Sequence, residues 1–297
     1  METTEKDPMS VENNNSSRRA AIMFGGTALA GLALGKLAHA QSTAVTDADI
    51  LNFALNLEYL EAQFYTLATQ GQTIDQVGVG ITGPSGSAGG TVTVKANAQV
   101  PFQTPLLQQY AMETAMEERN HVTFLRTALG AAAVAQPNID LQNSFNALAQ
   151  AAGLGSSFDP FANETNFLLG AFIFEDVGVT AYHGAAGLIS DKTYLDKAAG
   201  ILAVEAYHAG SIRTRIFAAG SAAQQAASKI AAARASLDGT GNDDIGVGVS
   251  NGAATIVNAD SNAIAFSRTT AQVLKIVYGG GSASGAFFPN GLNGTIK

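Results

Sequence analysis

Glu118-Arg119-Asn120-His121 and Glu205-Ala206-Tyr207-His208 are the two stretches that decide how this chain folds. Each is Glu-x-x-His, and an i, i+3 spacing puts both side chains on one helical face about a turn apart, where they can ligate one ion or two adjacent ones. The flanking residues say which face that is. Leu107, Ala111, Thr114, Leu125 and Ala128 trace the apolar stripe of a helix predicted over about 105–129, and Glu118 and His121 interrupt it. Ala198, Ile201, Ile212 and Ile216 do the same over about 193–219, interrupted by Glu205 and His208. Two more helices complete the pattern. Leu51, Leu55, Ala62 and Tyr65 surround Glu58 over about 46–70, with Asp47 placed to cap the start, and Leu168, Phe172, Val179 and Tyr182 surround Glu175 over about 162–189. Each of four long helices therefore carries a carboxylate near the middle of its inward face.

Composition limits what those carboxylates can do. Cysteine and tryptophan are absent from the 297 residues, which excludes disulfides, iron–sulfur clusters and cysteine-ligated zinc, so any metal is held by His, Asp or Glu. A net charge of -8, from 16 Lys and Arg against 24 Asp and Glu, speaks against nucleic acid as a partner. The chain has four His; three follow residue 40, and two of those have Glu at position -3, a coincidence expected by chance in about 0.3% of cases at this Glu frequency. Bare buried carboxylates cost several kcal/mol each, so four converging anions need compensation, which two divalent cations would supply. The metal-free alternatives are that the helical phase is wrong and some Glu face solvent, or that protonated acids and Arg119 or Arg213 replace the metal.

Around the helices the organisation is as follows. Residues 1–40 read as a targeting segment: Ser17-Arg18-Arg19, an apolar run from Ala20 to Leu37, and Ala38-His39-Ala40 as a small-x-small cleavage site. It resembles a twin-arginine signal, with a single transmembrane anchor as the alternative. No other stretch approaches the ~20 apolar residues of a membrane span. Removing residues 1–40 takes four positive and four negative charges, leaving 12 and 20, so the net charge stays at -8. The bundle occupies 45–220. Within it, 71–100 is expected to form a glycine-rich β-hairpin insertion from runs at 77–81 and 91–94. Residues 131–160 are a long crossover with a short helical piece near 141–152, and the third and fourth helices, joined by a few residues around Ser190-Asp191, should be antiparallel. Residues 221–297 form a C-terminal extension: an Ala-rich helix to about 236, a Gly/Asn/Asp segment, a helix over 260–278 and a Gly-rich tail.

A Glu on the first helix, Glu-x-x-His on the second, Glu on the third and Glu-x-x-His on the fourth, with a long connection between the second and third, resembles the ferritin-like dimetal carboxylate superfamily. Leu51 through Glu58 with Tyr65, and Glu118 through His121 with Phe124-Leu125, look like its bacterioferritin side. Ala265 through Leu274 and Phe287-Phe288-Pro289-Asn290-Gly291 resemble its secreted, desiccation-related branch. The resemblance implies an all-α, ferritin-like four-helix bundle. By position it implies Glu58, Glu118, His121, Glu175, Glu205 and His208 as both ligands and catalytic residues, with Glu118 and Glu205 bridging two ions.

Oxygen and nitrogen ligands without sulfur suit iron or manganese, although affinity order alone does not select them over zinc or copper. The expected function is an exported dimetal oxidoreductase acting on O2 or peroxide (ferroxidase, peroxidase or catalase-like), and the resemblance adds a role in stress protection. A non-enzymatic, desiccation-protective scaffold is the alternative. Mineral storage would need a large hollow oligomer, which the segment at 71–100 and the tail after 220 put in doubt; a smaller homo-oligomer stays open. Export implies a periplasmic or secreted location. Among the remaining residues, Glu61 reads as a group supporting the ligands or as rim, with an extra or alternative ligand as the other reading, Glu113 and Glu117 as solvated, and His183 as a surface or supporting residue. Tyr65 and Tyr182 read as packing or as donors to ligand carboxylates, and Asp243-Asp244 as a turn or a surface cation site.

Overall fold

The computed structural model describes residues 45–241 and 243–297, so the targeting segment at 1–40 lies outside the described residues. Four long helices form the bundle: α1 (Asp47–Gln70), α2 (Pro105–Leu129), α4 (Glu164–Ala186) and α5 (Lys192–Ala218), with the short α3 (Asn143–Ala151) inside the crossover. The bundle pairs chiefly as α1 with α2 and α4 with α5. Residues 187–191 between α4 and α5 reach at most about 18 Å, against about 34 Å for the length of α4, so the two helices run antiparallel.

Local chemistry sets the helix ends. Thr46 caps α1 in a reciprocal box with Asp49. Asp47, expected in that role, instead accepts the Ser190 and Asp191 amides at 2.8 Å each, tying the α4–α5 turn to the start of α1. Gly71, at φ 69°, ends α1 in the left-handed conformation that glycine adopts without strain. Asn163 caps α4, and Asp191 caps α5.

The expected β-hairpin at 71–100 is not there. Residues 77–81 form no strand. Strand β1 (Val92–Thr93) pairs in parallel with β2 (Ile139–Asp140) of the crossover. Gly90 donates to Gln136 O at 2.7 Å and Gln136 to Ile81 O at 2.9 Å, so the ladder-type bonds of this segment run to the crossover, while residues 73–79 and 83–87 close local turns such as Val79 N to Ile74 O.

The extension holds α6 (Ser221–Asp238), a two-stranded ribbon of β3 (Val249–Ser250) and β4 (Ala253–Ala254), and α7 (Thr270–Val277). The last helix therefore starts ten residues later than expected. Thr269 and Gln272 form a capping box there, while Asp260 turns the preceding chain by accepting the Asn262 and Ile264 amides. This extension lies against α4. A Cβ at Gly184 would sit 1.9 Å from Arg268 O, so only glycine lets the two backbones approach as they do. Arg268 N donates to Thr180 O at 2.9 Å, and the Phe287 ring packs edge-on against Phe174. Covered on both sides, α4 is buried continuously from Phe167 to Tyr182.

A buried ionic network anchors that packing. Asp176 takes Arg213 and Arg234 at 2.8 Å each, Asp244 takes Arg234 at 2.8 Å and Arg268 at 2.9 Å, and Asp238 takes Arg268 at 2.7 Å. Asp244 is thus a buried ion partner and not the exposed turn residue expected, and buried Asp243 lies 3.4 Å from Arg268.

Candidate metal centre

The four bundle helices bring Glu58, Glu118, His121, Glu175, Glu205 and His208 into one buried cluster. None is more than 8% exposed. Their ligand atoms fall into two groups, each with all atoms within 4.8 Å of one another: Glu58, Glu118, His121 and Glu205, and Glu118, Glu175, Glu205 and His208. Glu118 and Glu205 belong to both groups, the arrangement of carboxylates that span two ions.

The atoms converge without satisfying one another. Both oxygens of Glu118 and of Glu205, Oε2 of Glu175 and Nδ1 of His208 are buried with no hydrogen-bond partner among the described residues. His208 Nδ1 lies 3.0 Å from Glu118 and 3.4 Å from Glu175, close but misaligned for hydrogen bonding. Six orphaned acceptor atoms in one core are costly as they stand, and a cation shared among them removes that cost. The donor set thus fits a divalent pair. The arginines that would have balanced a metal-free core are elsewhere: Arg213 pairs with Asp176, and Arg119 donates to Thr66.

Electrostatics confirm how crowded the cluster is. Burial pushes Glu58 up to about 7 and drives Glu205 well above the usual carboxylate range, helped by Glu61 and Glu118. Burial alone would lower His121, but Glu58 and Glu118 beside it push it up to about 12. His208 rises for the same reason, against Glu175 and Glu118. Without a cation the cluster balances its charge with protons, which a metal must displace.

Supporting groups orient the ligands. Tyr65 donates to Glu175 and Tyr182 to Glu58; burial and those carboxylates raise both phenols well above their ordinary range, so each remains a donor. His208 Nε2 donates to Glu117 at 2.6 Å, so Nδ1 faces the cluster and offers its lone pair once a metal displaces the Nδ1 proton. Glu117 is therefore an engaged partner of His208 and not the solvated residue expected, whereas Glu113 is exposed.

Glu61 is buried beside the cluster, which leaves the supporting and extra-ligand readings and removes the rim. Its Oε1 lies 3.5 Å from the place where a Cβ on Gly178 would stand, and the same point is 2.2 Å from Glu205 Oε2. Gly178, which sequence reasoning did not single out, makes room for Glu205. His183 turns away, with Nδ1 3.1 Å from Phe266 O. A cavity of about 390 Å³ between α2 and α5 reaches Tyr65 and His208 from the surface.

This fold and cluster match a known family. The profile of the ferritin-like domain covers residues 46–218, and the chain belongs to that family. It is similar to a desiccation-related protein of Craterostigma plantagineum, PCC13-62, with 30% identity across 77% of this chain and 76% of the relative. It is also similar to a ferritin-like catalase, Nec2, of Nesocodon mauritianus, with 26% identity across 84% of each chain. No solved structure gives a significant match.

Proposed function

We propose that this chain is an exported dimetal oxidoreductase that holds two iron or manganese ions and consumes peroxide or O2 in stress protection. The observation that carries this reading is the set of six orphaned ligand atoms shared between two overlapping groups, with Glu118 and Glu205 common to both. When bound, two such ions supply the electron changes needed to reduce peroxide or O2.

The chain's own residues do the rest. Glu118 and Glu205 would be shared by the two ions, Glu58 with His121 and Glu175 with His208 would hold one each, and Tyr182 and Tyr65 hold the Glu58 and Glu175 carboxylates in place. Glu117 keeps the proton of His208 on Nε2, away from the reacting side. The cavity admits small molecules to the His208 side, while the apolar packing of α4 keeps bulk water from the other. The similarity to a protein named as a catalase favours peroxide, and the one to a desiccation-related protein supports the stress role. Export rests on the twin-arginine-like segment at 1–40.

Elemental analysis of the purified protein tests the assignment, with about two ions per chain expected and Glu118→Ala/Glu205→Ala removing them. Unchanged metal content in the double variant overturns it. Oxygen evolution from peroxide, followed at an electrode, tests the catalase-like form. The similarity to the desiccation-related protein also supports a second reading, a protective scaffold in which metal only braces the bundle. Stopped-flow spectra that stay flat when peroxide or O2 meets the Fe(II)- or Mn(II)-loaded protein would favour it.

A further inference from the structure

The cavity between α2 and α5 is larger than peroxide needs. A water molecule takes ~30 Å³ of liquid, so about 390 Å³ holds roughly ten such molecules, or one organic molecule built on one or two aromatic rings. Its inner end is Tyr65 and His208, both buried. One stretch of its wall is apolar, with Leu107, Phe167 and Ile212 in it, and Thr114 and Ser211 add hydroxyls beside them.

The outer end carries one guanidinium, Arg215, with Glu113 at the rim. Arg215 stacks over the Tyr110 ring with its guanidinium carbon 4.9 Å from the ring centroid. Among the described residues the arginines in ion pairs are Arg213, Arg234 and Arg268, so the Arg215 fork has no carboxylate of its own. Stacking holds a guanidinium flat and leaves its N–H edge free for a planar, two-oxygen acceptor. Of the acids on the same cavity, Glu117 is engaged by His208 and Glu113 lies at the exposed rim. Tyr207, 80% exposed, flanks the mouth.

We propose that this cavity binds a small aromatic carboxylate, its ring against the apolar wall and its carboxylate on Arg215. The assignment stands on the cavity and does not require the dimetal reading. Bound there, the acid lies between solvent and His208 and governs what reaches the centre.

Calorimetric titration of the purified protein with 2-naphthoate and with the neutral 2-naphthalenemethanol, once chelated and once loaded with Mn(II), tests it. 2-Naphthoate should bind with a Kd below about 1 mM in both forms, and the alcohol about tenfold more weakly, because a charge-assisted pair adds about that much. Arg215→Ala, at a partly exposed position, should abolish the preference, and Val204→Trp in the wall should weaken both ligands about tenfold with helical circular dichroism unchanged. No binding of 2-naphthoate at about 10 mM, equal binding of acid and alcohol, or naphthoate affinity untouched by Arg215→Ala would each overturn it. Naphthoate binding by a protein that takes up neither Mn(II) nor Fe(II) supports the cavity assignment while removing the dimetal one.

Discussion

The carboxylate of Glu117 accepts the Nε2–H of His208 at 2.6 Å, although Glu117 sits on α2, one residue before the ligand Glu118, and His208 sits on α5. Two helices are thereby joined by a bond that orients a ligand. Glu117→Ala should weaken metal binding about 10- to 100-fold, the usual loss when a supporting acceptor of a ligating His is removed. Glu117→Gln should lose less, since its amide oxygen still accepts. Competition against a chelator of known affinity measures both.

Gly178 predicts a sharper loss. A methyl group there would sit 2.2 Å from Glu205 Oε2, so Gly178→Ala must push Glu205 away from both ligand groups. Metal content should drop by about half or more while the helical signal persists, because one moved carboxylate belongs to both candidate ligand groups. Elemental analysis with circular dichroism reads the two together.

Metal-free and metal-loaded protein should respond to pH in opposite directions. In the metal-free cluster Glu58 is raised from 4.5 to about 7, so its neutral form favours the folded state below the unfolded value and that contribution is lost as pH rises through about 7. The melting temperature of chelated protein should therefore fall between pH about 4.5 and 7. Binding of a metal displaces protons from Glu58, His121 and His208, so occupancy and its stabilisation should grow over the same range. Melting curves with and without Mn(II) at fixed free metal check the divergence.

The network beneath the extension should be costly to break. Asp244→Ala leaves Arg234 and Arg268 buried with one partner fewer each, a loss of about 3–5 kcal/mol. In a domain of this size that corresponds to a melting temperature lower by roughly 6–20 °C, readable by calorimetry.

The bundle was legible because its chemistry interrupts its own pattern. Glu58, Glu118, Glu175 and Glu205 stand on stripes that are otherwise apolar, and the predicted bounds of 105–129 for α2 coincide with the observed helix. What escaped depends on neighbours that periodicity does not encode. Glu117 points about 100° from Glu118 on its own helix, and only the approach of α5 gives it a partner. The runs near Val77 and Val92 have strand-like composition, but Val77 to Val79 turn back on Ile74 and Asp75, and Ile81 and Val92–Thr93 pair with the crossover around Gln136–Asp140. Asp176, Arg213, Arg234, Asp244 and Arg268 are scattered through the sequence, so nothing local marks them as one network. The shared Thr269–Gln272 cap was visible as a start signal, and reading the helix back to Asp260 overlooked it.

Helix α4 is a party wall. One side carries Glu175, Gly178 and Tyr182 toward the metal centre; the other carries Asp176, Thr180 and Gly184 toward the extension. Neighbouring residues on a single rigid rod thus belong to two different neighbourhoods. A tail pulled loose by heat or drying strips the outer plaster from the wall on which Glu175 hangs, so the centre's integrity is answerable to a segment that supplies none of its candidate ligands.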